Sequence, residues 1–139
     1  EKMIIEQLYY WSISGFILNC KIDRLDFLYN GNFRIIDYKS SDEQSASENK
    51  YYIEQLKAYT SGTSSMYNTD CSKIQCCLFF LKNGAVNSYK FSRNEIDEFN
   101  DQIISAINKI NAGDFNTDKE RDSKECRYCS CAGLCNEFN

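Results

Sequence analysis

Gly15-Phe-Ile-Leu-Asn-Cys-Lys-Ile-Asp23-Arg-Leu-Asp26-Phe-Leu-Tyr-Asn-Gly31-Asn-Phe-Arg-Ile-Ile-Asp37-Tyr-Lys39 is the stretch whose reading decides the fold. Two apolar-rich runs, 16 to 29 and 33 to 39, flank Asn30-Gly31, and Asn-Gly between runs of this kind is the strongest short-range signal for a tight hairpin. Asp23 and Asp37 therefore fall on neighbouring strands. Strand periodicity puts Asp37 and Lys39 on one face and turns Tyr38 to the other. Two carboxylates and an ammonium thus converge on a sheet, an arrangement suited to a divalent cation and an anionic substrate. The ordinary alternative for such residues is a solvated strand ion pair that contributes little.

Working outward, the 139 residues read as one domain, and a hydrophobic content of 42% with 14% aromatic residues argues against disorder. No apolar run approaches the ~20 residues of a membrane span, so the expectation is a cytoplasmic protein with no membrane partner. A net charge of -4 is not that of a stand-alone nucleic-acid binder. If DNA is the substrate, local basic residues or a partner must bring it in. The absence of histidine removes every mechanism built on a histidine base or a His-ligated zinc.

Residues 3 to 13 have β composition, and Ser14-Gly15 is a turn into the next strand, giving a three-strand meander. Glu6 on the first strand is expected to be solvated. Residues 40 to 50 are polar and aperiodic, a loop leaving the strand that ends at Lys39. From Tyr51 to about Met66 the pattern is helical, with Ile53, Leu56, Tyr59 and Thr60 on one stripe. Gln55 and Tyr59 are neighbours on that helix. The segment 61 to 70 weakens its end. Residues 74 to 81 read as a buried strand, Asn83-Gly84 as a turn, and 86 to 91 as the return strand. Ser92-Arg-Asn-Glu95 is a capping box opening a second helix, whose stripe Ile96, Phe99, Ile103, Ile107 and Ile110 is expected on the sheet, with Gly113 stopping it. The order of elements gives an α/β domain around a mixed sheet. Cys71, Cys76 and Cys77 are read as structural, the last two as small hydrophobes in a strand.

Cys126-Arg-Tyr-Cys129-Ser-Cys131-Ala-Gly-Leu-Cys135 is the second signal. Four cysteines so close together point to a metal before disulfides in an intracellular protein. Zn²⁺ and an iron–sulfur cluster both accept four thiolates, and the spacing does not choose between them.

Lys21-Ile-Asp23-Arg-Leu-Asp26, Ile35-Ile-Asp37-Tyr-Lys39-Ser and Gln55-Leu-Lys-Ala-Tyr59 together resemble the PD-(D/E)xK nuclease superfamily. Within it they are similar to the RecB-type exonuclease domain of helicase–nuclease proteins. The pattern there runs Gly-x-Ile-Asp-Arg-hydrophobic-Asp, then Asp-Tyr-Lys, then Gln-Leu-x-x-Tyr. The motifs occur in the same order, across residues 16 to 135, with Cys20 where the family often has glycine.

The resemblance implies a restriction-endonuclease-like mixed β-sheet flanked by helices over residues 1 to 113, without the family's N-terminal helix, and a Cys-rich tail over 114 to 139. It implies metal-dependent hydrolysis of DNA, with Asp23, Asp37 and the carbonyl of Tyr38 holding Mg²⁺ or Mn²⁺, Lys39 orienting or helping to deprotonate the water and carrying phosphate charge, and Gln55 and Tyr59 positioning nucleophile and strand. It also implies DNA and a helicase domain or subunit as partners. A subset of the family, including AddB-type subunits, ends in a Cys-x2-Cys-x5-Cys that Cys126, Cys129 and Cys135 fit. There a fourth, upstream cysteine completes a [4Fe-4S] cluster. This chain lacks that residue upstream, and Cys131 is one candidate to replace it. The resemblance favours iron–sulfur over Zn²⁺. The alternatives in function are a catalytically inactive DNA-binding or scaffolding module of such a complex, and a small zinc-binding interaction domain.

Overall fold

The computed structural model describes residues 2–40 and 50–114. Two compact units are distinguished, Glu1–Ile107 and Asn108–Asn139. The first contains a five-stranded sheet in the order β1-β2-β3-β4-β5, with β1 Lys2–Ile13, β2 Phe16–Phe27, β3 Phe33–Lys39, β4 Ile74–Phe80 and β5 Val86–Tyr89. All neighbours are antiparallel except β3 and β4, which run parallel, so the sheet is mixed as expected. A parallel step needs a crossover. Helix α1, Lys50–Tyr67, lies in it, and a second helix, α2, Arg93–Asn111, follows β5.

Ser14 and Gly15 both take positive φ, 48° and 84°, and close the first hairpin in two residues, the form that matches strand twist. The second hairpin differs from its expected tight turn. Its last pair is Phe27↔Phe33, and Tyr29–Gly31 forms a 3-10 turn closed by Leu28 N donating to Asn32 O at 2.8 Å. Asn30 and Gly31 carry the left-handed dihedrals, so the dipeptide supplies the reversal within a five-residue connection.

Helix α1 continues through Thr60, Ser61, Gly62, Thr63 and Ser64, a run poor in helix propensity. Packing overrides propensity here. Those five residues are all buried. Thr60 Oγ1 donates to Leu56 O at 2.9 Å and lies 3.2 Å from the Cys76 thiol, Ser61 donates to Asn100, and Ser64 donates to Thr69 O. Small side chains let the helix approach β4 and Trp11 closely, and the hydroxyls of Thr60, Ser61 and Ser64 find partners that keep their burial tolerable, whereas Thr63 Oγ1 is buried without one.

The core gathers Tyr9, Ile22, Leu25, Ile35, Leu56, Ile74, Leu78, Phe80 and Ile96, all nearly inaccessible. Cys71, Cys76 and Cys77 are buried free thiols, with burial raising the Cys76 pKa to about 12. The α2 capping box forms: Glu95 N bonds Ser92 Oγ at 3.3 Å and Ser92 N bonds the Glu95 carboxylate at 2.8 Å. The expected α2 stripe is shorter than its periodicity. Ile96 and Phe99 are buried, Ile103 and Ile107 half-buried, and Ile110 exposed. Gly113, at φ 70°, ends the helix with Asp114 N bonded to Lys109 O. The Cys-rich tail of the expected fold lies outside the described residues.

A Cβ added at Gly62 would lie 3.1 Å from Trp11 Cε3. Gly62→Leu therefore overpacks the α1–β1 contact and should lower unfolding stability by about 1–3 kcal/mol in urea titration, despite leucine's better helix propensity.

Candidate active site

Asp37 lies near the end of β3 with 3% of its surface exposed, and Lys39 follows on the same face, while Tyr38 points to the opposite face and is exposed. Lys39 Nζ sits 2.6 Å from Asp37 Oδ2, at ion-pair distance but outside hydrogen-bond alignment, so Oδ2 is a buried oxygen with no hydrogen-bond donor. The ammonium donates to Gln55 Oε1 at 2.9 Å, and Gln55 Nε2 in turn donates to the Tyr59 hydroxyl at 2.7 Å. Gln55 and Tyr59 stand one turn apart on α1, which is why a helix over the sheet can present both to one point. The Tyr52 ring completes the enclosure, its centroid 4.1 Å from Lys39 Nζ.

Asp23 joins from β2. Its Oδ2 accepts the backbone N–H of Tyr38 at 2.9 Å, tying the carboxylate to the peptide between Asp37 and Lys39. Asp23, Asp37, Lys39, Gln55 and Tyr59 are thus brought together. Glu6 is exposed and pairs with Lys21 at 2.9 Å, the solvated role expected of it.

Two features add to the residues singled out from the sequence. Tyr52 is three residues before Gln55, a helical spacing that would have flagged it. Asp26 is almost fully buried on the other face. It receives Arg24 at 2.7 and 3.1 Å and Arg34 at 3.2 and 3.1 Å. Although burial opposes the charge, the two guanidiniums hold its carboxyl below the usual range.

At Asp37 the balance is reversed. Burial is the largest influence and raises its pKa; Lys39 and Tyr59 pull it down, and the like charge of Asp23 pushes it further up. The Tyr59 hydroxyl is likewise raised, first by burial and then by the Asp37 charge, so it stays protonated.

The expected Mg²⁺ or Mn²⁺ centre at Asp23, Asp37 and the Tyr38 carbonyl is corrected by this arrangement. Among the described residues no three His, Cys, Asp or Glu side chains gather as a metal group. Asp23 and Asp37 stand without a third acidic side chain among the described residues, whereas a hard divalent cation takes six or more oxygen ligands. No chemical step below is routed through an ion.

The family model of the PD-(D/E)XK nuclease superfamily matches residues 3–136. Among solved structures the chain is similar to SSO0001, with a TM-score of 0.58 at 16% identity over 97% of this chain and 61% of that one. It is also similar to a protein of Eubacterium rectale provisionally described as an exonuclease, with a TM-score of 0.53 at 13% identity over 96% of this chain and 57% of that one. At such identities the likeness is one of fold, and the chain spans about three fifths of each of those proteins. No curated protein matches it in sequence.

The narrower resemblance, to a RecB/AddB-type exonuclease domain with a C-terminal iron–sulfur cluster, is corrected to the superfamily as a whole. The match is to the superfamily model, and the described residues contain no metal-binding cysteine group. The cluster ligands expected for [4Fe-4S] or Zn²⁺, Cys126, Cys129, Cys131 and Cys135, lie outside the described residues. No helix among those described is long and apolar enough to cross a membrane.

The raised Asp37 pKa has a signed consequence. A carboxyl that holds its proton more tightly folded than unfolded contributes stability that is complete below the unfolded value, 3.8, and is lost as pH rises through the folded one. The stability of the wild-type protein relative to Asp37→Asn should therefore fall as pH rises above about 4, as read from urea midpoints across a pH series.

Proposed function

The chain belongs to the PD-(D/E)XK nuclease superfamily, and from that membership we propose that it hydrolyses phosphodiester bonds of DNA at the cluster Asp23, Asp37, Lys39, Gln55 and Tyr59. The observation that carries this is the buried Asp37–Lys39 pair, because a carboxylate with raised proton affinity beside a held ammonium supplies both a base and an electrophile.

In the proposed reaction a water oxygen attacks the phosphorus, its proton passes to Asp37, the bond from phosphorus to the leaving oxygen breaks, and the departing oxygen takes a proton from solvent water. The Lys39 ammonium carries the extra negative charge on the phosphoryl oxygens. Gln55 and Tyr59 keep that ammonium in place through their hydrogen-bond chain, and Asp23 holds the 37–39 peptide through the Tyr38 N–H. With a net charge of -4, the chain gains DNA affinity from a helicase domain or subunit that delivers the strand. Exonucleolytic action within a repair or recombination system is the form proposed.

One observation favours a second reading, a nuclease-like module that binds DNA without cutting: no third acidic side chain joins Asp23 and Asp37 among the described residues. Such a module would retain labelled DNA but leave it intact.

Linear and circular DNA separate these readings when assayed with EDTA and with added divalent salts. Cleavage of linear but not circular substrate is expected. Asp37→Ala should lower its rate by about 10²–10⁴-fold, the usual contribution of a positioned base, with the circular dichroism spectrum unchanged. Full activity in Asp37→Ala would remove the residue from the reaction, and binding without cleavage by the wild type would establish the second reading.

A further inference from the structure

β1 and β2 pair residue by residue from Lys2↔Phe27 to Ile13↔Phe16 with a single gap. Ile5↔Arg24 and Gln7↔Ile22 flank it, so the unpaired residues facing each other are Glu6 and Asp23. On the other side of β2, the ladder to β3 goes no further than Arg24↔Ile36, so Asp23 is paired with neither neighbouring strand. Glu6 has φ 50° in mid-strand, a conformation costly for any residue with a Cβ.

The alternation of covered residues changes parity at this point on both strands. On β2 the covered side passes from Cys20 and Ile22 to Leu25 and Phe27; on β1 it passes from Ile4 to Tyr9 and Trp11. Asp23 shares the parity of Leu25, and Leu25 pairs with Ile35, two residues before Asp37 on the same face of β3. Uninterrupted alternation from Ile22 would have placed Asp23 on the face of the Tyr38 side chain, away from Asp37. The electrostatic influence of Asp23 on both Asp37 and Tyr59 agrees with its actual placement. The Glu6 carboxylate itself points into solvent beside Lys21, a pairing of little energetic weight, so its backbone is what matters.

We propose that Glu6 is a positioning residue of the nuclease site: its left-handed backbone sets the paired dislocation of β1 and β2 that turns Asp23 onto the Asp37 face and aims its carboxylate at the Tyr38 N–H. This rests on the proposed hydrolysis for its functional consequence, but the geometry is testable without it. Strand irregularities that re-aim a side chain beside a reactive centre are a recurrent use of β-bulges.

The test compares Glu6→Val, which resists positive φ, with Glu6→Gly, which adopts it freely and lacks the carboxylate. Glu6→Val should lower kcat for DNA cleavage by roughly tenfold or more with KM unchanged, since misplacement rather than binding is affected. Its Tyr38 amide resonance should move toward that of Asp23→Asn. Glu6→Gly should restore the wild-type kcat and Tyr38 amide and raise the melting temperature. Native kcat and a native Tyr38 amide in Glu6→Val would overturn the proposal, as would a folded Glu6→Gly with reduced kcat or a lowered melting temperature. If Glu6→Val does not fold, the glycine variant decides alone. If the wild type cleaves no DNA, the hydrolytic reading fails, and the Tyr38 amide still reports whether Glu6 sets Asp23.

Discussion

The contact between the Asp37 carboxylate and the Lys39 ammonium, both largely removed from water, is the constraint around which this molecule is arranged. An ion pair in such surroundings is a poor source of stability, because the desolvation of two charges consumes most of their attraction. Its cost must be offset by the packed core of Leu25, Ile35, Leu56, Leu78 and Phe80 beside it. What it supplies in return is reactivity. A carboxylate in low dielectric binds a proton more readily, and an ammonium held by Gln55 and Tyr52 presents its charge without having to reorganise.

Holding that pair requires a helix pressed tightly onto the sheet, and α1 achieves this by being poor in bulk along its second half. Thr60, Gly62 and Ser64 would weaken an isolated helix, yet they let it descend against Cys76 and Trp11. Tyr52, Gln55 and Tyr59, from the first turn of the helix to its middle, are then set over the end of β3. On the opposite face, Asp26 gathers Arg24 and Arg34.

Similarity at superfamily level is compatible with wide differences in how a site is equipped. Asp23 and Asp37 each already have a partner within the chain, and no further ligand group gathers with them among the described residues. A motif records residue types along the chain, whereas coordination depends on free lone pairs at a common point.

From the residues alone came the mixed sheet, the meander, the capping box of α2 and the shared face of Asp37 and Lys39, because each follows from local periodicity or a local hydrogen bond. Gln55 and Tyr59 were legible for the same reason, being one helical turn apart. Other features came only from tertiary contact. The burial of the Ser- and Thr-rich half of α1 depends on what lies opposite the helix. The placement of Asp23 depends on a positive φ at Glu6, which no pattern of alternation announces. Periodicity specifies how side chains are distributed about their own element; which of them meet is decided by where separate elements come to rest, and by the strain that their packing can sustain.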